Sequence, residues 1–310
     1  AMRGDGLRQW QTDDQKPATG ACRRIRGSVS VIMKLTFLGT AAAEAIPALW
    51  CECAVCAKAK ARGGREIRRR CSYLIDSDTM VDFGPDAFWQ TTAFDIDLVN
   101  LKRIVFTHPH EDHLDPVELF WRLSPGFSVV TKMLTIIGSR PVFDRILKQL
   151  GPNGDPKTFE RFHIKPQVVS AGVPCSDDDL TLLPLAANHA PGLEPLVYVI
   201  TRGGRSLLIA NDTGWLPDAS WKALEGVRLN AAVIESTCVL KGADCRDGHM
   251  GMNATVAFRD RLQEMGCLAP GAAVVTNHFS HNGGLNHAEM VETYGRHGIA
   301  VAYDGMTLEV

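Results

Sequence analysis

The stretch Arg103-Ile104-Val105-Phe106-Thr107-His108-Pro109-His110-Glu111-Asp112-His113 decides how the rest of the chain is read. An apolar run ending at Thr107 reads as a strand, and four potential metal ligands follow it within six residues. In an extended segment side chains repeat every two residues, so His108 and His110 point the same way. Asp112 and His113 enter the following turn and face a second point nearby. Imidazole and carboxylate in one nest suit Zn²⁺, Mn²⁺ or Fe²⁺ rather than Ca²⁺ or Mg²⁺.

Around this motif the chain has an ordinary globular composition. Of 310 residues, 45% are hydrophobic and 22% charged, which excludes collagen-like, coiled-coil and wholly disordered classes. Thirty-three Lys and Arg against 35 Asp and Glu leave a formal charge of −2, too weak a field to announce a nucleic-acid or membrane partner. No apolar window approaches the run of about 18 residues that a membrane span needs. Nine cysteines without a preceding secretory pattern point to reduced thiols and a cytoplasmic protein. Residues 1–32 are polar and aperiodic and read as an N-terminal extension. Residues 33–310 read as one α/β domain, strand-dense and helix-poor in its first half and regularly strand–helix–strand in its second. The segment Lys58–Arg70 sets Lys58, Lys60, Arg62, Arg65, Arg68, Arg69 and Arg70 against the single acid Glu66. It reads either as a solvated face or as a basic rim beside an anionic substrate.

Further strand ends carry candidate ligands: His189 after Leu180–Leu185, Asp212 after Leu207–Ala210, and His278 after Ala272–Thr276. A second cluster, Cys51-Glu52-Cys53-Ala54-Val55-Cys56, places three thiols where they can chelate one tetrahedral Zn²⁺. Three free thiols or a redox CxxC pair are the other readings, and the additional Cys51 favours metal. A fourth ligand is required, and His281 stands three residues after His278.

The HxHxDH motif, with His189, Asp212 and His278 following in order, resembles the signature of the metallo-β-lactamase fold superfamily. That resemblance implies an αββα sandwich, two mixed sheets packed between helices, with metals at one sheet edge. It also implies that His108, His110, His189 and a bridging Asp212 hold one metal, and Asp112, His113, Asp212 and His278 the other. Lys34-Leu35-Thr36-Phe37-Leu38-Gly39-Thr40, the CxCxxC loop and His278-Phe279-Ser280-His281 narrow the likeness to PhnP-type phosphodiesterases, which accompany the carbon–phosphorus lyase pathway. In that family three cysteines and the second histidine bind a structural zinc, which here implies Cys51, Cys53, Cys56 and His281. His249, just before a helix, matches a histidine that acts on the transferred phosphoryl group. Glu235 matches the acid that orients it.

The expectation is a dinuclear hydrolase of small cyclic or nucleotide-like phosphodiesters, with two catalytic Zn or Mn ions and one structural Zn. Two cations roughly 3.5 Å apart make hydroxide available near neutral pH. In-line attack on phosphorus follows, Asp112 sits among the reacting groups, and His249 assists the leaving alcohol. A homodimer is compatible with this, a membrane partner is not expected, and a long nucleic acid is disfavoured by the near-neutral charge. The alternatives are a tRNA 3′-processing-type nuclease, a β-lactam or thioester hydrolase, and a non-catalytic nucleotide-binding metalloprotein. A binding module has no need of an open dinuclear centre, which favours the enzyme.

Overall fold

The structure is a computed structural model that describes residues 32–151 and 157–310. The expectation for residues 1–32 thus lies outside the described residues, Ile32 excepted. Two sheets carry seven strands each among the described residues. The first runs in the spatial order β14 (Thr307–Glu309), β1 (Lys34–Gly39), β2 (Ser72–Ile75), β3 (Thr79–Val81), β4 (Arg103–Val105), β5 (Leu134–Gly138) and β6 (Ile164–Val168). The second runs β13 (Ala300–Val301), β12 (Leu268–Asn277), β11 (Leu229–Glu235), β10 (Arg205–Ala210), β9 (Leu196–Arg202), β8 (Leu180–Ala186) and β7 (Cys175–Asp177). Both sheets are mixed. In the first, β3 to β6 are parallel while β14, β1, β2 and β3 alternate. In the second, β10 to β13 are parallel while β7 to β10 alternate.

Strands buried on both faces read as continuous apolar runs, and Leu134-Thr135-Ile136-Ile137 and Ala231-Ala232-Val233-Ile234 are of this kind. The inner faces meet in one apolar layer where Phe37, Tyr73, Val105 and Ile137 pack with Tyr198, Ile200, Leu207 and Val233. Helices α2 (Ala87–Ala93), α3 (Pro116–Phe120), α4 (Arg140–Leu150) and α5 (Thr158–Arg161) lie between β3 and β6 in the chain. The outer face of the first sheet buries Met80, Ile104 and Ile136 against residues of these helices, including Val142, Phe143 and Ile146 of α4. Helices α1 (Ala54–Arg62), α6 (Asp218–Ala223), α7 (Met252–Glu264) and α8 (His287–Gly295) supply Val55, Trp221, Phe258 and Tyr294 against the outer face of the second. The result is an αββα sandwich, as the sequence implied. The first half is richer in helix than expected, because α1, built mostly of Ala and Lys, and α2, with Thr91 and Thr92, carry no clear apolar stripe.

The arrangement places the functional loops together. β3, β4, β8, β10, β11 and β12 all finish at one edge of the sandwich, and segments at the carboxyl ends of such strands are where α/β sheets bind ligands. No described helix is long and apolar enough to cross a membrane.

The basic segment is not a free rim. Arg68 is buried and donates to Thr40 Oγ1 (2.8 Å), Ala302 O (2.7 Å) and His287 Nδ1 (2.8 Å). Arg69 pairs with Asp304 (3.1 Å) and Arg70 with Asp86 (3.1 Å). Arg62 pairs with Glu66 and Lys58 with Glu289, while Arg65 lies over the Tyr303 ring. Arg65, Arg68 and Arg69 fasten the β1–β2 connection to the C-terminal part of the chain, and Arg70 ties it to the start of α2.

Accepting from Arg68 requires His287 Nδ1 to be unprotonated. Burial, with the Arg68 charge nearby, holds His287 down at about 4, against the opposing pull of Glu66. An unfolded histidine titrates near 6.5, so between roughly 6.5 and 4 the unfolded chain binds a proton that the folded chain refuses. This contribution to stability is therefore fully present above about 6.5 and is lost as the pH falls towards 4. Urea midpoints of the wild type and His287→Asn compared across that window should show a shallower acid loss in the variant. Identical slopes would remove His287 as a source of acid sensitivity.

Candidate metal centre

Each ligand is delivered by a strand end. β4 runs out into Phe106 and Thr107, and His108 and His110 follow with rings 4.5 Å apart. His110 Nδ1 lies 2.8 Å from His108 Nε2 and 3.2 Å from His189 Nε2. Asp212 and His278 leave β10 and β12 with φ of 44° and 59°. This left-handed region is uncommon for residues other than glycine, and it turns each side chain sharply off its strand. His113 Nε2 stands 2.8 Å from Asp212 Oδ2 and 3.0 Å from Asp112 Oδ2, and His278 Nε2 stands 3.1 Å from Asp212 Oδ2. Despite this closeness, His113 Nε2, His278 Nε2 and Asp212 Oδ2 are buried and make no hydrogen bond. Buried polar atoms are almost always partnered, so three orphans facing one point are the arrangement of ligands around an ion.

Sets that can share an ion include His108–His110–His189, His108–His113–Asp212 and Asp112–His113–His278, with ligand atoms in each within 4.8 Å of one another. The histidine and aspartate residues read from the sequence are thus brought together, drawn from both sheets. A divalent cation fits this donor set in charge and softness.

The far ring nitrogens are held as well. His113 Nδ1 donates to Asp82 Oδ2 at 2.7 Å, and His189 Nδ1 donates to Gly248 O at 3.0 Å. His278 Nδ1 lies 2.8 Å from Thr237 Oγ1. Such partners fix the ring and leave Nε2 free to bind metal. Burial, with the positive His113 beside it, holds His108 well below the ordinary imidazole value, and burial lowers His189 too. His113 is the opposite case: burial disfavours its charge, but Asp212, Asp112 and Asp82 together push it well above the ordinary value. That pocket demands positive charge, as a proton or as a cation.

Asp82 was not read from the sequence. It is fully buried, follows β3 with φ of 61°, and accepts from Thr107 N (2.8 Å), Thr107 Oγ1 (2.9 Å) and His113. The signal was present, since Met80-Val81-Asp82 ends an apolar strand as Ile209-Ala210-Asn211-Asp212 does. Beside it Gly84 allows a close approach: a Cβ there would stand 2.0 Å from Asp112 O.

Glu235, at the end of β11, is fully buried. It accepts from Thr213 N (2.9 Å), Thr237 N (3.0 Å), Thr237 Oγ1 (2.7 Å) and Met250 N (3.0 Å). His249 Nδ1 lies 2.8 Å from Glu235 Oε1, and its ring stacks on His278 at 5.7 Å. Burial works against its proton, but the hydrogen bond and charge of Glu235, helped by Asp212, push His249 up to about 9. His249 can also share an ion with His189 and Asp212 on distance alone, yet its Nδ1 faces Glu235.

The cysteine cluster forms as the spacing implied. Cys51 Sγ and Cys53 Sγ each lie 3.5 Å from His281 Nδ1, and Cys51, Cys53, Cys56 and His281 can share one ion. Cys53 caps α1 by accepting from Cys56 N. Burial raises the Cys53 thiol, but that amide, His281 and Cys51 outweigh it and bring it down to about 6; burial chiefly pushes Cys56 up to about 11. His281 Nε2 lies 3.5 Å from Glu44. His278 and His281 therefore tie both clusters to one loop.

The family model described as a β-lactamase superfamily domain matches residues 78–279. The chain belongs to that superfamily, and its fold and clustered ligands are those of a metallo-β-lactamase-type hydrolase. No curated protein matches it in sequence. Among solved structures it is similar to a diphosphatase of the PhnP family, with 22% identity, a TM-score of 0.68, and coverage of 90% of this chain and 97% of that one. It is similar to Zn²⁺-bound PqqB from Methylobacterium extorquens, with 17% identity, a TM-score of 0.68, and coverage of 89% and 100%. Human tRNase Z, short form, shares 17% identity with a TM-score of 0.57 over 89% and 98%.

Replacing Asp82 by Ala should release the His113 ring and weaken the cation it faces by roughly 10–100-fold, read by competition with a chelator. An unchanged affinity would reduce Asp82 to a purely structural carboxylate.

Proposed function

We propose that this protein is a dinuclear metal-dependent hydrolase of small phosphodiesters. The observation that carries the reading is the pairing of a seven-ligand nest with an adjacent imidazole, His249, whose Nδ1 is taken by Glu235. In this reading His108, His110, His189 and Asp212 hold one cation, and Asp112, His113, Asp212 and His278 hold the other. Zn²⁺ and Mn²⁺ both suit these donors. When bound, such a pair supplies a hydroxide nucleophile near neutral pH and neutralises charge on phosphoryl oxygens.

The chain's own residues account for the rest. Glu235 fixes His249 in position and favours its protonated form, leaving Nε2 to donate. A donor there can stabilise a phosphoryl oxygen or give a proton to a departing alkoxide. Asp212 joins the two halves of the nest because its two oxygens face different imidazoles, Oδ2 towards His113 and His278 and Oδ1 towards His189. Cys51, Cys53, Cys56 and His281 hold a structural zinc that fixes the loop carrying His278. The likeness to a diphosphatase supports phosphorus chemistry, and the net charge of −2 supports a small anion over a long RNA.

Asp212→Ala should abolish hydrolysis of bis-(p-nitrophenyl) phosphate, and undiminished turnover would sink the reading. His249→Gln should keep its metals and, on a phosphodiester with an alkyl leaving group, lose roughly 10²–10⁴ in kcat, the range for a displaced proton donor. Loss of metal instead would make His249 a ligand. Elemental analysis should give about three metal ions per chain, falling by one in Cys53→Ser with the catalytic pair retained. Two or fewer in the wild type would count against the cysteine site.

A further inference from the structure

Two asparagines stand directly before two of the clustered ligands: Asn211 before Asp212 at the end of β10, and Asn277 before His278 at the end of β12. Ile209 and Val275, two residues earlier, point into the apolar layer between the sheets, and strand alternation sends the asparagine side chains the same way. Both asparagines are fully buried. β11 lies between β10 and β12, so the two strand ends are roughly 10 Å apart. Their own ladders do not join them.

One hydroxyl does. Tyr73, on β2 of the opposite sheet, donates to Asn211 Oδ1 at 2.6 Å and accepts from Asn277 Nδ2 at 2.9 Å. Asn277 Nδ2 also reaches Cys71 Sγ at 3.4 Å. The tyrosine is itself held. It is fully buried, its ring meets Phe37 edge-on with centroids 5.5 Å apart, and it stands opposite Val81, the residue before Asp82.

Asp212 and His278 need such an anchor. Each has a left-handed φ, which a residue other than glycine keeps only where its surroundings over-determine it. A side chain fastened at the preceding residue fixes the peptide from which each turn starts. Thr237 also fixes the His278 ring, but the Asp212 carboxylate faces the imidazoles of His113, His189, His249 and His278. Its aim therefore rests on its backbone.

Resting on the two-cation reading above, we infer that Tyr73 is a positioning residue for the cation shared by Asp212 and His278. Its hydroxyl clamps Asn211 to Asn277 across β11 and so sets the two turns that aim both ligands at one point. The clamp comes from the first sheet while both ligands come from the second, so the same hydroxyl also fixes the spacing of the sheets beneath the nest.

Dialysis of the metal-loaded protein against a series of dipicolinate-buffered Zn²⁺ concentrations, with elemental analysis of each sample, gives the occupancy of the nest. Tyr73→Phe should need roughly tenfold more free Zn²⁺ to keep its weaker catalytic cation. Tyr198→Phe removes a hydroxyl from the same apolar layer, one bonded to Phe106 O at 3.0 Å, and should keep that cation as the wild type does. Tyr73→Phe also leaves buried amide atoms unpaired, which lowers stability by itself. The double variant Tyr73→Phe/Asn211→Leu replaces hydroxyl and amide by apolar groups of similar shape and should recover the melting temperature. It should not recover the cation, because β10 and β12 stay unlinked. Wild-type occupancy in Tyr73→Phe overturns the inference, as does an equal loss in Tyr198→Phe. Recovery of the cation together with the melting temperature in the double variant also overturns it, since the hydroxyl would then serve stability alone. Should Tyr73→Phe not melt cooperatively, the double variant is compared with the wild type directly. The measurement reads metal rather than turnover, so the substrate reading can fail without touching it. If the wild-type nest holds a single cation, the two-cation reading fails, and the same comparison on that cation decides the role of Tyr73.

Discussion

Everything at the working edge of this molecule is arranged around one desolvated carboxylate. Asp212 is 3% exposed, and the ring nitrogens of His113 and His278 crowd one of its oxygens without bonding to it. Burying a charge with nothing to neutralise it is among the costliest things a fold can do. The cost is met by drawing positive charge to that point, and the surrounding architecture keeps the point in place. Asp82, Thr237 and the Gly248 carbonyl fix the imidazoles from behind, and the left-handed turns at Asp82, Asp212 and His278 swing the side chains inward.

Strand direction explains why so few residues suffice. Parallel runs in each sheet bring successive carboxyl ends to a common edge, and the two sheets face each other, so ligands distant in sequence become neighbours. The same geometry separates roles that look alike in composition. His249 and His278 stack at 5.7 Å, yet one Nδ1 faces a buried glutamate and the other a threonine hydroxyl. The buried glutamate favours an imidazolium at His249, whereas the threonine hydroxyl orients the His278 ring with its Nε2 towards Asp212.

Much of this was legible in the sequence because it is local. HxHxDH and CxCxxC put several donors within one turn of chain, and apolar strands ending in His or Asp flag the remaining ligands. What could not be read depends on partners far along the chain. Asp82 ends an apolar strand as Asp212 does, but it gains its meaning only from His113, 31 residues further on. Residues Arg68, Arg69 and Arg70 look like a basic surface until Asp304, Asp86 and His287 are placed against them. Charge density in a sequence says nothing of its counter-charges, which the fold supplies from more than 200 residues away in the case of Asp304.

One loop, His278 to His281, closes both the histidine–aspartate nest and the cysteine cluster, and this fixes when the protein can acquire metal. Neither donor set is complete until the chain has been made past His281. A nascent chain already holding HxHxDH and CxCxxC presents open, half-built chelates that grip ions weakly and exchange them freely. Contacts of such long sequence separation also carry a loop-closure cost that local contacts do not. Metal selection is thereby postponed to an almost finished fold, where the geometry of the cage, rather than the bare affinity of loose histidines and thiols, chooses the ion.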